Sequence, residues 1–126
     1  MSEPEPDLED LLDRVLASDS RYRREAYLFT QRALHYYRQE HGERGETAHI
    51  TGSELLVGVR ELALIEFGPM ARLVLESWGV TRGEDVGEIV YNLIEAGLMS
   101  KTPEDSKEDF AGIMTFDETL DRESSW

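Results

Sequence analysis

Cysteine is absent from the 126 residues of this chain. Disulfide bonds, thiolate catalysis and cysteine-based zinc sites are therefore excluded, because each requires the sulfur of that side chain. Oxidation or reduction would need a bound cofactor. The sequence contains neither a glycine-rich phosphate loop nor a G-x-S-x-G nucleophile turn, and we expect no cofactor.

Long apolar runs are absent as well. No stretch approaches the roughly 20 apolar residues of a membrane-spanning helix. The N-terminus has neither the basic start nor the apolar run of a signal peptide. The sequence therefore predicts a soluble, cytoplasmic protein, and its length is close to that of one domain with one hydrophobic core.

Basic residues are scarce, and lysine is the scarcest of them. Asp and Glu number 27 against 13 Lys and Arg, of which only two are Lys, and the net charge is −14. Such a surface repels phosphate backbones and anionic lipid, so we expect no DNA or membrane partner, and RNA is disfavoured. The acidity is typical of a high-salt cytoplasm, of a biased genome composition or of one acidic docking face, and the sequence leaves these open.

Apolar residues recur at helical spacing, which predicts a mainly α fold with about five helices in one compact domain. The predicted helices cover about residues 8–17, 23–40, 51–67, 70–78 and 81–96. Two short strands are expected to follow at 98–101 and 113–116, as a winged-helix-like β-hairpin. The predicted divisions are a disordered leader over 1–7, a single helical domain over 8–117 and a flexible acidic tail over 118–126.

Capping and packing signals accompany the third and fifth helices. Thr51-x-x-Glu54 predicts a capping box, in which each side chain binds the other residue's free backbone N–H. Thr81-x-x-Glu84 repeats that pattern for the fifth helix. Gly58 lies inside the third helix, where glycine costs about 1 kcal/mol, so we expect a neighbouring helix to approach closely there.

Five short segments of the sequence are distinctive. They are Arg21-Tyr22-x-Arg24-Glu25-Ala26-Tyr27, Gly52-x-Glu54-Leu55-Leu56-x-Gly58-x-Arg60, Phe67-Gly68-Pro69, Trp78-Gly79-Val80 and Lys101-x-x-x-Asp105-x-x-x-Asp109-Phe110. Together they resemble a small uncharacterised bacterial protein family of unknown function. The resemblance spans about residues 8 to 117 and implies a compact domain, without implying a catalytic residue.

Residues 27–80 carry a second resemblance, on Ile50-Thr51-Gly52-Ser53-Glu54-Leu55-Leu56-Val57-Gly58 and Ala71-Arg72-Leu73-Val74-Leu75-Glu76-Ser77-Trp78-Gly79-Val80. These segments are similar to one N-terminal repeat of the Clp chaperone ATPases. The resemblance implies a helical module that receives adaptors and substrates. The chain departs from that family because it has a single repeat, a winged-type end in place of the second, and no ATPase phosphate loop.

Arginines alternate with aromatic residues over 21–38, the one basic stretch of the sequence. Residues 21–49 hold six Arg against four Glu. Arginine and aromatic side chains can bind single-stranded RNA through backbone attraction and base stacking, which makes Arg23, Arg24 and Arg32 candidate RNA contacts. The alternative is that the aromatic rings belong to the core and the arginines pair with nearby carboxylates.

Glu66 is the one ionisable residue on the apolar face of the third helix, and it is the candidate buried carboxylate. A carboxylate buried there would have either a raised pKa or an arginine partner. Because Glu66 lies in the last helical turn, its side chain could instead reach solvent or an arginine such as Arg72. The histidines lack the spacing of a helical metal-ligand pair, and we expect no metal site.

No catalytic constellation emerges from these residues. We expect an acidic helical protein-recognition or adaptor module without catalytic activity, whose acidic rim selects basic protein partners. The candidate partner-binding residues are large or charged and flank the capped helices: Arg60, Trp78, Tyr91 and Phe110. The alternatives are an RNA- or ribosome-associated factor that uses residues 21–38, and a carboxylate- or metal-dependent hydrolase.

Overall fold

The computed structural model describes residues 7–41 and 51–99 of the chain. Within these ranges the protein is mainly helical, as predicted. The helices are α1 (Leu8–Ser18), α2 (Arg24–His41), α3 (Gly52–Phe67), α4 (Ala71–Ser77) and α5 (Gly83–Glu95), with a 3₁₀ turn (Gly68–Met70) between α3 and α4. Four of them have at least 11 residues and α4 has 7, so the predicted fourth helix is shorter than expected.

The predicted hairpin and the boundary at residues 117 and 118 lie outside the described residues. Of the first predicted strand, only Leu98 and Met99 are described, and they do not form a strand. Their backbone N–H groups lie 2.8 and 3.3 Å from the carbonyl oxygen of Leu93, which closes the C-terminal end of α5. None of the described helices has both the length and the apolar content that crossing a membrane requires.

The first and third helices both begin at side-chain caps, and the cap of the third is the predicted one. The Asp7 carboxylate accepts the backbone N–H of Asp10 at 2.9 Å at the start of α1. At α3 the predicted capping box is confirmed: the Glu54 carboxylate accepts the N–H of Thr51 at 2.9 Å, and the Thr51 hydroxyl accepts the N–H of Glu54 at 3.2 Å.

The cap of α5 differs from the prediction. Asp85, and not Glu84, is the capping carboxylate, because α5 begins one residue later than the Thr81-x-x-Glu84 pattern implies. One oxygen of Asp85 accepts the N–H groups of Thr81 and Arg82 at 2.9 and 3.1 Å. Its other oxygen accepts the hydroxyl of Tyr22 at 2.7 Å, so the cap also joins α5 to the segment before α2.

The core is built mainly by α2, α3 and α5. Helix α3 packs against α2, α4 and α5, and α2 also packs against α1 and α5. Burying each large apolar side chain contributes about 1.5–3 kcal/mol. The largest fully buried side chains are Leu12, Tyr27, Phe29, Leu56, Val59, Leu75, Val86, Ile89 and Leu93.

Gly58 marks the close contact between α2 and α3, as the sequence predicts. A Cβ atom at this position would lie 2.9 Å from the carbonyl oxygen of Ala33 and 3.1 Å from the Cβ of Tyr37. The first of these neighbours is backbone, which cannot move aside as a flexible side chain can. The absence of a side chain at residue 58 therefore sets how closely the two central helices approach.

Candidate functional site

The outer face of α2 carries a continuous stripe of side chains, two of which, Leu28 and Tyr36, are partly buried against the core. The core-facing residues of this helix are Ala26, Tyr27, Phe29, Thr30 and Ala33. The stripe follows at intervals of three and four residues, which places its members on one side of a helix. Its residues are Leu28, Gln31, Arg32, His35, Tyr36 and Gln39.

Two adjoining depressions flank this stripe. The stripe and Leu62 of α3 line a shallow groove of about 700 Å³, which we call the α2 groove. On the other side, Gln31, Leu34, His35, Arg38 and residues 97–99 line a smaller depression of about 370 Å³, which we call the α2–α5 hollow. Gln31 and His35 line both and form the ridge between them.

The charged residues that line these two depressions differ in kind from those of the chain as a whole. Among the described residues that line them, none is an aspartate or a glutamate, although the chain holds 27 of these residues. The basic side chains that do line them are Arg32, His35 and Arg38. Among the described residues, this α2 surface therefore has a lining without carboxylates, although Glu66 and Glu61 lie at its edge, bonded to Arg32 and Tyr36.

Arg38 presents a hydrogen-bond donor that lacks an acceptor. Its Nε atom is shielded from solvent and has no hydrogen-bond partner in the described ranges. A buried donor left without an acceptor costs about 1–3 kcal/mol. Since buried polar groups are nearly always paired in native structures, each exception needs an explanation, and an absent ligand is one of them.

Glu66 is not buried, which corrects its assignment as a buried carboxylate. Its side chain keeps 29% of its surface exposed and binds the guanidinium of Arg32 through two hydrogen bonds of 2.5 and 3.0 Å. The partner is Arg32 of α2 and not Arg72, which lies 3.4 Å from Glu76. The last turn of α3 faces α2 across the edge of the groove, so the nearest cation comes from that helix.

The structure thus pairs two candidates that came from different hypotheses, the RNA contact Arg32 and the carboxylate Glu66. Of the other RNA candidates, Arg24 forms an ion pair with Asp13 of α1. Arg23 is exposed. It lies before the first residue of α2, away from the residues that line the two depressions.

The aromatic rings of the basic stretch are used mostly inside the protein. Tyr22, Tyr27 and Phe29 are buried. The hydroxyls of Tyr36 and Tyr37 each donate to a glutamate of α3, at 3.3 Å in both cases. These contacts leave few free faces on which bases could stack.

The four candidate partner-binding residues do not form one surface in the part of the chain described. Arg60 lies in α3, Trp78 follows α4 and Tyr91 lies in α5, and all three are half-buried. The ring of Trp78 packs against Phe29 and Phe67 with centroid separations of 5.5 and 5.8 Å. Phe110 lies outside the described residues. A role for these residues in partner binding stays a prediction.

The pKa of Asp19 is strongly perturbed, and the sequence did not mark this residue as a candidate. Hydrogen bonds from the Arg21 guanidinium, the nearest of them 2.7 Å long, hold the pKa of Asp19 well below its ordinary value, and the Asn92 amide adds a bond of 3.0 Å. The same amide group of Asn92 lies 3.0 Å from the hydroxyl of Tyr27. These bonds join the α1–α2 connection to α5.

Tyr22 belongs to the same polar region. Burial, reinforced by the bond to Asp85, raises the pKa of Tyr22 above its ordinary range. Burial likewise raises the pKa of Tyr27. Because the carboxylates and hydroxyls bind one another, the arrangement is that of a structural clamp and not of a set of groups free to act on a substrate.

The histidines and carboxylates of the described ranges form no cluster of three or more that could hold a metal ion. His41 lies 2.9 Å from a carboxylate oxygen of Glu61 and stacks on the ring of Tyr37. His35 is exposed on the ridge between the two depressions. The third histidine, His49, lies outside the described residues.

A second apolar surface is found where α3 meets α4. Ile65, Met70 and Leu73 have exposed fractions of 67%, 53% and 51%. Single apolar residues at the surface are normal, and no charge or unpaired donor here indicates what would bind. This corner is the competing location for a bound partner.

The residues that line the two depressions could have been found only in part from the sequence. The spacing of Leu28, Gln31, Gln39 and their neighbours was visible as a helical stripe. What the sequence could not show is that Leu62 and residues 97–99 come to rest on either side of it. These contacts join segments far apart along the chain.

Comparison of the chain with protein-family models, with curated proteins and with solved structures finds no match. The functional argument therefore rests on this protein's own residues.

Proposed function

We propose that this protein is a recognition or adaptor module that binds a segment of a partner protein along the α2 groove. The observation that carries the proposal is the lining of that groove. Apolar side chains, Leu28 and Leu62, lie beside the polar ridge of Gln31 and His35. Grooves that combine apolar anchor sites with a few polar groups are how helical modules receive amphipathic segments.

The volume of the groove supports a role in binding a partner segment. Its volume of about 700 Å³ falls within the roughly 300–1,000 Å³ typical of ligand-binding pockets. It is built by α2 and α3, and most of α2 and all of α3 fall within the residues 27–80 that resemble a Clp N-terminal repeat. That resemblance points to the same kind of role, because the repeats receive adaptors and substrates.

The RNA alternative is less well supported. Binding of single strands needs a positive groove and free aromatic faces. In this protein Arg24 and Arg32 are paired with carboxylates, and most aromatic rings of the stretch are in the core. The hydrolase alternative is also less well supported, since Glu66, Asp19 and Asp85 already accept hydrogen bonds from protein groups.

Site-specific photo-crosslinking tests the proposal. A photo-reactive amino acid replaces Gln39, which is exposed on the groove, or Glu25, which is exposed on α2 outside it. After irradiation in a lysate of the source organism, we expect discrete nuclease-resistant protein adducts from position 39 and few from position 25. The additional change His35→Glu should reduce the adducts, because it places a charge on the ridge without altering the core.

Two results would count against the proposal. Adducts that disappear after nuclease treatment would favour the RNA alternative. Equal labelling from positions 39 and 25, unaffected by His35→Glu, would show that the groove is no special surface.

A further inference from the structure

Resting on the proposed recognition function, we infer that the bound partner segment is acidic. It is an amphipathic helix whose apolar side chains enter the α2 groove and one of whose carboxylates is received by Arg38. The inference concerns the chemistry of the partner, and it reverses the expectation of a basic partner drawn from the net charge. The two expectations differ because a bound partner contacts the residues that line the groove. The net charge, in contrast, averages over the whole chain.

Charge complementarity is the first ground for the inference. The described residues lining the groove and the hollow include Arg32, Arg38 and His35 and no carboxylate. A lysine-rich helix placed here would meet the guanidinium of Arg38 at short range, which is unfavourable, whereas the charge of Arg32 is already balanced by Glu66. A glutamate-rich helix would meet Arg38 and the side-chain amide of Gln39, which can donate hydrogen bonds to it.

Arg38 is the second ground. Its Nε atom is a buried donor without an acceptor, and no hydrogen bond or ion pair among the described residues holds its guanidinium in place. The side chain can therefore turn toward an incoming carboxylate without losing a bond. Guanidinium groups bind carboxylates through two parallel hydrogen bonds, a geometry that lysine cannot reproduce.

Arg32 has a different part in this surface. Its guanidinium already binds Glu66 and lies 5.3 Å from the ring centroid of Phe29. It is held in place at the edge of the groove and its charge is balanced by Glu66, so it offers an incoming carboxylate neither a free donor nor an unbalanced charge. Because Arg32 is already paired with Glu66, we assign the binding of the partner's carboxylate to Arg38.

A protein segment fits this surface better than nucleic acid does. Leu28, which is half-buried, offers apolar contact that a phosphate backbone cannot use, and Leu62 adds little because only 8% of its surface is exposed. The hydroxyl of Tyr36 is engaged by Glu61. A chain of net charge −14 repels a long polyanion over distances at which a short acidic helix experiences only the local groove.

The test uses two designed helical peptides and the full-length protein. Both peptides carry the same leucine stripe at i, i+3, i+4 and i+7, and their flanking positions are either glutamate or lysine. Binding is followed by fluorescence anisotropy. We expect saturable binding of the glutamate peptide and binding of the lysine peptide that is weaker by about tenfold or more.

Variants of the protein then test the assigned residue. Arg38→Gln and Arg38→Lys should each weaken binding of the glutamate peptide by about tenfold, the loss expected for a charge-assisted hydrogen bond. Arg23→Gln is the matched control, because it removes the same charge outside the groove, and it should change the affinity less than about twofold. Circular dichroism verifies that each variant is folded.

Several outcomes would overturn the inference. These are tighter or equal binding of the lysine peptide, no saturable binding of the glutamate peptide, and full affinity in Arg38→Lys. Binding of single-stranded RNA with the same dependence on Arg38 would replace the acidic helix with nucleic acid. Self-association abolished by Arg38→Gln would make a second copy the occupant. Failure of the recognition proposal itself is read separately, from the crosslinks at position 39.

Discussion

At the scale of single residues, Asp19 joins the connection between α1 and α2 to α5. Its carboxylate accepts the backbone N–H and guanidinium of Arg21 and the side-chain amide of Asn92. Hydrogen bonds to a charged group contribute about 1.5–3 kcal/mol each when both partners are held. The Arg21 side chain is largely exposed. Water therefore weakens the contribution that its hydrogen bonds to Asp19 make to stability.

Replacing Asp19 should make stability less dependent on pH in the acid range. The folded state holds the pKa of Asp19 below its ordinary value of 3.8. Its stabilising effect is therefore complete above that value and is lost as pH falls through the folded-state pKa. We expect Asp19→Asn to lower the free energy of unfolding by about 1–3 kcal/mol at neutral pH, with the difference from wild type shrinking below about pH 4.

Chemical denaturation at a series of pH values measures this effect. Asp13→Asn is the matched control, because Asp13 also binds an arginine but is mostly exposed. It should cost less than about 1 kcal/mol. A difference between Asp19→Asn and wild type that stays constant down to pH 2.5 would contradict the assignment.

Arg38 should show the opposite combination of effects, with binding lost while stability is kept. In Arg38→Met the aliphatic part of the side chain is retained and the unpaired Nε donor is removed. We expect the free energy of unfolding to stay the same or to rise by up to about 1 kcal/mol. Thermal and urea unfolding measure it, with Arg32→Met as a comparison that should lower stability by about 0.5–1 kcal/mol through loss of the Glu66 pair.

A marked loss of stability in Arg38→Met would show that the Arg38 guanidinium has a partner within the fold, and the case for an external carboxylate would be withdrawn. Stability that increases as binding is lost is a common sign of a residue kept for function.

At the scale of helices, the contact between α2 and α3 depends on Gly58. Replacing glycine by alanine in a helix interior normally stabilises by about 1 kcal/mol. Here the new Cβ would lie 2.9 Å from the carbonyl oxygen of Ala33, and overpacking of this kind typically costs about 1–3 kcal/mol. We expect Gly58→Ala to give a net loss of up to about 2 kcal/mol, measured by urea unfolding.

Ser53→Ala, at an exposed position near the start of the same helix, should have an effect within about 0.5 kcal/mol. A more stable Gly58→Ala protein would mean that the two helices can separate without cost.

The helices show which parts of the fold the sequence could reveal. The Thr51 capping box was predictable because its two residues are three positions apart and satisfy each other. The choice of Asp85 over Glu84 was not, since it involves the hydroxyl of Tyr22, 63 residues away. For Glu66 the residue was correctly singled out, but its partner lies on another helix and could not be read from spacing.

At the scale of the whole molecule, net charge should govern the response to salt. A charge of −14 opposes compaction through self-repulsion. Raising the salt concentration from about 0.1 to 1 M shortens the screening length from roughly 10 to 3 Å. Most ion pairs among the described residues are partly exposed to solvent, and each contributes little to stability. We therefore expect the melting temperature to rise with added KCl.

Scanning calorimetry over a KCl series measures this response. Sucrose at matched osmolality controls for general solvent effects. A melting temperature that stays flat or falls would show that the ion pairs, and not the excess carboxylates, dominate the electrostatic free energy.

The carboxylate-free lining of the α2 surface stands out only against that acidic background. The net charge of the sequence favoured a basic partner, because composition averages over the whole chain. The folded arrangement places Arg38 and His35 on an area without carboxylates. Under the proposal of an acidic partner, the chemistry of that partner follows from the arrangement of the folded chain, which composition could not reveal.

Amide chemical-shift mapping tests most directly whether the α2 groove is the recognition surface. The isotopically labelled full-length protein is titrated with the glutamate peptide. We expect the shifts to concentrate at residues 28–39, Leu62 and residues 97–99, and to disappear in Arg38→Gln. Shifts centred on Ile65, Met70 and Leu73, or no shifts at all, would contradict the assignment of the α2 groove.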